Sequence, residues 1–140
     1  MTDTTTPKKR TITLTGRPPV SIHEDDWPIL AEASYHDWDN QYEFQANQHW
    51  RGSLIVRHHN DDGRNRAIVY AVCSYTTQYQ GDRGYVQKAG ELLPADATME
   101  QIVAAIRRVH ASIDIVDVDH RDMWRLLADE CIADLPAEEL

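Results

Sequence analysis

The chain has 140 residues, 41% of them apolar and 26% charged, so it has the composition of one globular domain rather than a disordered segment. At its mass a single core buries roughly two-thirds of the unfolded surface, so neither disulfides nor a metal is required to hold it. A net charge of −9 and a pI near 5.1 argue against a uniformly basic nucleic-acid binder. No apolar run reaches the ~18 residues that span a bilayer, and the start, MTDTTTPKKR, lacks the apolar stretch of a signal peptide.

Residues 1–10 are polar and read as a flexible tail, with a single domain over 11–140. Thr11 to Thr15 alternates, with Ile12 and Leu14 on one side, and predicts a short strand; Gly16-Arg17-Pro18-Pro19 turns the chain into a second around Val20 and Ile22. The following stretch, HEDDWPILAEASYHDW, reads as a helix. Asp25 or Asp26 would cap it, Pro28 suits its first turn, and Glu24, Asp25 and Asp26 sit well at the positive end of its dipole.

Three further strands are predicted: over 42–47 from the alternation in YEFQAN, over 52–59, and over RAIVYAVCSYTTQY. The last is apolar on both faces and so belongs in the middle of the sheet. Asn60-Asp61-Asp62-Gly63 and Gly81-Asp82-Arg83-Gly84 are turn signals, and a final strand runs from Tyr85 to Leu93. Thr98 and Gln101 form a capping box ahead of a stripe of Met99, Ile102, Val103, Ile106, Val109 and Ile113. A break at 114–119, with Asp119 as a helix N-cap, precedes a second stripe of Trp124, Leu127, Ala128, Cys131 and Leu135, closed by Pro136. The predicted fold is therefore α+β. An antiparallel sheet of four to five strands is packed by two to three helices, in the order β-β-α-β-β-β-α-α.

Charge is unevenly distributed along the chain. Residues 20–47 hold seven acids and no Lys or Arg, whereas 48–90 hold six bases against three acids and 91–140 hold twelve acids against four arginines. The expectation is acidic helices and a basic sheet. The predicted partner-binding residues are Glu24, Asp25, Asp26, Asp129, Glu130 and Asp134, meeting a basic protein surface; imitation of DNA is a special case. The alternative is weak nucleic-acid binding through Arg57, Arg64 and Arg66 at the hairpin in RHHNDDGRNR.

No phosphate loop, nucleophile elbow, HExxH or CxxC occurs. His58 and His59 are adjacent, so a strand points them to opposite faces. HDWDNQYE and DIVDVDHRD lack fixed metal geometry, and no cofactor is expected. Cys73 and Cys131 read as buried thiols of a cytoplasmic protein. Trp27 and Trp124 read as core, and the chain as a monomer or, through an edge strand such as YEFQAN, a homodimer.

Five strings carry a resemblance over the whole chain: TITLTGRPPV, EDDWPILAEAS, YEFQANQHW, GELLPADAT and ADECIADLPAEEL. They resemble a family of small acidic accessory proteins of bacterial plasmids and integrative elements. The activity of that family is unassigned, so the resemblance implies a setting on mobile DNA and supplies no chemistry or site residues. The segregated charge carries the expectation of a non-enzymatic interaction module, with an uncharacterised enzyme as the second alternative. Residues 11–59 also resemble the sheet DNA-binding domains found beside HNH homing nucleases. The acidic YEFQAN stands where those domains have a Gly-rich basic strand.

Overall fold

The computed structural model describes residues 8–36, 48–61, 64–77, 84–115 and 118–138. Strands β1 (Lys9–Ile12) and β2 (Val20–His23) pair antiparallel as a hairpin. A 3-10 turn (Glu24–Asp26) leads to β3 (Ile29–His36), β4 (Gln48–Asp61), β5 (Arg64–Thr77) and β6 (Tyr85–Leu92). These four form one antiparallel sheet in chain order. Helices α1 (Met99–Ala111), α2 (Val118–Arg125) and α3 (Leu127–Ala133) follow. The α+β class is as predicted.

One element differs. The segment read as a helix after residue 23 is the 3-10 turn followed by β3. Its acids and Pro28 satisfy the rules for a helix start, but Ala31, Ala33 and Tyr35 also alternate with Glu32, Ser34 and His36. Pairing decides between the two patterns: β4 offers an unpaired edge, and β3 fills it from Ile29 opposite Arg57 to His36 opposite Arg51. The strand also places the small Ala31 and Ala33 beneath α3, where they are buried. A second difference is that β1 starts at Lys9, so Lys9 and Arg10 belong to the hairpin and not to the tail. The YEFQAN strand and the turn residues 62, 63 and 81–83 lie outside the described residues. So do Trp38 and residues 37–43 of HDWDNQYE.

The molecule has three layers. Successive strand side chains point to opposite faces, and each face of the sheet has its own core. On one face Leu54, Val56, Val69, Ala71, Cys73 and Ala89 pack against Ile102, Ile106, Val109, Trp124, Leu127 and Cys131 of the helices. On the other, Ile68 and Tyr70 pack against Ile12, Leu14 and Ile22 of the β1–β2 hairpin, with Trp27 and Ile55 at the margin. β5 is buried on both faces, as its doubly apolar sequence requires.

Local chemistry fixes the elements. Thr98 accepts a bond from the Gln101 N–H (3.2 Å) while the Gln101 side chain accepts from the Thr98 N–H (2.7 Å), which is the predicted capping box. The last helical stripe is as predicted but bends at Leu126 into α2 and α3, and α2 begins at Val118, ahead of Asp119. His110 and Trp124 lock α1 to α2. Their rings stack 4.9 Å apart, the Trp124 indole N–H donates to the His110 carbonyl, and His110 Nε2 lies 2.6 Å from the Trp124 carbonyl. A carbonyl only accepts, so that nitrogen carries the proton.

Cys73 and Cys131 are fully buried, and neither is in a disulfide. Burial pushes both thiols up to about 12, helped at Cys131 by the charges of Asp134 and Glu32. A thiol ionises more readily once the chain unfolds, so above pH ~9 the unfolded state gains and stability falls as pH rises. The expected slope is up to about 1.4 kcal/mol per pH unit for each thiol. Folded protein at pH 8 should leave both thiols unmodified by a soluble disulfide reagent, and urea should release both. Fast reaction of either in the folded state contradicts this.

Candidate functional site

The six predicted acidic residues do not share a surface. Glu24, Asp25 and Asp26 form the 3-10 turn between β2 and β3, on the hairpin side of the sheet. Asp129, Glu130 and Asp134 belong to α3 and its C-terminus, on the helical side. The expectation of acidic helices is corrected at Glu24, Asp25, Asp26 and Glu32, which stand in the 3-10 turn and β3 rather than in a helix.

Their bonding separates them further. Arg10 Nε donates to Glu24 Oε1 at 2.5 Å, and this bond holds the Glu24 carboxyl below its ordinary range. Asp134 Oδ2 accepts from the Glu32 N–H at 3.0 Å and so covers part of the exposed edge of β3. Both carboxylates thus have roles inside the fold. Asp25 and Asp26 remain exposed, as do Asp129 and Glu130.

The helical surface mixes its charges. Arg107 pairs with Asp129 at 3.5 Å, Arg125 with Asp122 at 3.5 Å, and Arg108 takes Glu91 of β6 with two bonds. All four charged groups of the first two pairs are more than half exposed, so each pair is worth little for stability. Leu126, 55% exposed, sits at the α2–α3 bend among Asp122, Arg125, Asp129 and Glu130. Sequence reading assigned Leu126 no role, because the bend that exposes it follows from packing.

The basic trio is also divided. Arg57 is only 6% exposed. Its Nε donates to the Tyr70 hydroxyl (2.8 Å) and its Nη1 to the Trp27 carbonyl (2.9 Å), joining β4 and β5 to the chain entering β3. It therefore stands inside the molecule and not at a hairpin tip. Arg66 is exposed opposite His59, and Arg64 stands opposite Asp61 at the end of the β4–β5 ladder. His59 stacks on Trp27 with centroids 4.9 Å apart and lies 2.6 Å from the Asp26 carbonyl through Nδ1, which therefore carries the proton. Trp27 is thus half-buried beneath a histidine, whereas Trp124 is core.

A concavity that the sequence did not reveal lies on the hairpin side of the sheet. The hairpin covers the rows Arg57–Ile68–Leu92 and Ile55–Tyr70–Gly90 and stops there. Beyond it, cross-strand pairing aligns Ser34–Ser53–Val72–Lys88 and, one step further, His36–Arg51–Ser74–Val86. Ser34, Tyr35, His36, Arg51 and Ser53 line an open cavity of about 470 Å³ at the β3–β4 end of these rows. A smaller one of about 200 Å³ lies between β1 and the sheet, lined in part by Arg10 and Lys88. Among the described residues, no group of three or more His, Cys, Asp or Glu is placed to hold a metal, and no helix is long and apolar enough to cross a membrane.

Comparison with protein-family models, with curated proteins and with solved structures finds no match to this chain.

Proposed function

We propose that this is a non-enzymatic interaction module whose α2–α3 ridge docks on a basic protein surface. The observation that carries it is Leu126, an exposed apolar side chain on the helical side with the exposed acids Asp122, Asp129 and Glu130 around it. An apolar anchor inside a charged rim is the usual anatomy of a protein contact, in which the anchor contributes affinity and the rim selects the partner. Arg107 and Arg125 interleave with the acids, which favours recognition of a mixed protein surface over imitation of a phosphate backbone. The string resemblance supports a setting among accessory proteins of bacterial plasmids and integrative elements. Asp25 and Asp26 face away from the ridge and take no part.

The test is a photo-crosslinking residue placed at position 126 in the producing cell, with a second at position 86 on the opposite face as the control. A discrete, salt-sensitive adduct to a basic protein from 126 and none from 86 supports the reading. Equal adducts from both positions, or none from 126, oppose it.

A further inference from the structure

We infer that the outer edge of β1 is a docking site for an extended acidic segment of another protein, which adds to the hairpin as a third strand. The phase of the β1–β2 ladder fixes which groups that edge offers. The Glu24 N–H donates to the Lys8 carbonyl at 2.9 Å, and the register runs unbroken from Lys9 opposite His23 to Ile12 opposite Val20. Bonded and non-bonded residues alternate along an antiparallel pair. Lys8, Arg10 and Ile12 therefore bond toward β2, and the N–H and C=O groups of Lys9 and Thr11 point away from it. Among the described residues no strand pairs with that edge.

The surroundings of the edge suit a strand. The chain beyond β1 is pinned to the sheet where the Thr15 N–H donates to the Gly90 carbonyl at 2.8 Å. Ahead of that junction a cavity of about 200 Å³ opens between β1 and the sheet, with Ile12 and Thr13 on one side and Tyr70, Val72 and Lys88 on the other. It is too small for a typical small-molecule ligand, but an added strand turns only every second side chain inward, and one such side chain fits it. Strand addition works in this way: main-chain bonds supply affinity, and pockets for alternate side chains supply specificity.

Charge selects the segment. Lys9 is exposed on the hairpin and Lys88 beside the cavity, whereas Arg10 is already committed to Glu24. Lysine on an edge strand opposes self-pairing. A second copy of β1 would bring two sets of Lys8, Lys9 and Arg10 together, whereas a segment with a carboxylate beside Lys9 gains a favourable cross-strand pair. The fitting segment therefore alternates acidic side chains outward with apolar ones inward. Its site lies on the opposite side of the sheet from α2 and α3, so it is independent of the ridge.

The test titrates the isotopically labelled full chain with a capped heptapeptide that alternates Val and Glu, read by amide shifts and hydrogen exchange. Parallel titrations use its N-methylated form, a Val–Lys counterpart and a short DNA duplex. The Val–Glu peptide should give saturable shifts confined to β1 and the cavity residues of β5 and β6. At about ten times its Kd it should slow exchange of the Lys9 and Thr11 amides about tenfold. Thr11→Pro removes an outward N–H and no β1–β2 bond, which an edge strand tolerates; it should weaken binding about tenfold or more, the loss of a main-chain bond at the centre of the edge. Lys9→Glu should weaken it about threefold or more. The site is overturned by the absence of saturable shifts, by shifts on the helical side, or by equal binding of the Val–Lys or N-methylated peptide. Binding unchanged by Lys9→Glu, or surviving Thr11→Pro with the Thr15 and Gly90 amides unmoved, overturns it too. Saturable shifts of the same amides with the duplex, or with rising protein concentration alone, would give the edge to nucleic acid or to a second copy instead.

Discussion

Gly90→Ala should unseat the β1–β2 hairpin from the sheet. A methyl group at Gly90 would overlap the Thr13 backbone carbonyl and press on Leu14. Neither can yield cheaply: the carbonyl is main chain, and Leu14 is buried in the hairpin core. The Thr15 N–H donates to the Gly90 carbonyl at 2.8 Å, and the Thr15 hydroxyl accepts from the Gly90 N–H at 3.2 Å, so the chain is pinned at the very place the methyl would enter. Overpacking of this kind costs about 2–3 kcal/mol, equivalent to a fall in Tm of several degrees in a domain of this size. Gly16 provides the contrast. Nothing lies within 4 Å of its would-be methyl, and only its positive φ of 75° resists the change. Gly16→Ala should cost about 1 kcal/mol. Thermal unfolding of both variants, with exchange of the Thr15 amide, checks this; a Gly90 variant no less stable than the Gly16 variant contradicts the docking.

Arg57→Met should be at least as damaging. The substitution keeps the aliphatic length but removes the guanidinium that joins the Tyr70 hydroxyl to the Trp27 carbonyl, leaving the carbonyl short of a donor in a partly buried site. Hydrogen bonds from a charged donor are worth about 1.5–3 kcal/mol each, and the loss of one buried partner exposes the other to the full desolvation cost. The expected loss is about 2–4 kcal/mol by urea unfolding. Arg57→Lys should recover only part of it, since an ammonium cannot span both acceptors in the same geometry. A variant as stable as the wild type would return Arg57 to the surface role expected from the sequence.

The two positions show what the sequence did and did not reveal. The doubly apolar pattern of β5 was legible because a central strand must be buried on both faces, and the Thr98–Gln101 box because its two bonds are local. The α2–α3 stripe was legible for the same reason: Trp124, Leu127, Ala128 and Cys131 face the core at helical spacing. β3 was not. Its acids and Pro28 fulfil local rules for a helix start, while the competing strand draws its stability from β4, which lies more than ten residues further on.

Arg57 was misread for a related reason. It stands near a hairpin rich in charge, and only the fold of β1–β2 over that end of the sheet encloses it. Glu24 and Asp134 are acids like any others in the sequence. Their partners, Arg10 and the Glu32 N–H, are 14 and 102 residues away. The Ser34–Ser53 and His36–Arg51 pairs depend on the β3–β4 register, which no local signal fixes.

On the proposed function the two exposed acidic pairs act apart, and the α2–α3 ridge alone meets the basic partner. The most direct measurement is the affinity of the partner crosslinked from position 126 for two charge-reversed chains, Asp129→Lys with Glu130→Lys and Asp25→Lys with Asp26→Lys. The expected result is binding weakened tenfold or more, about 1.4 kcal/mol, in the first chain and unchanged in the second. Equal weakening in both, or none in the first, would contradict it.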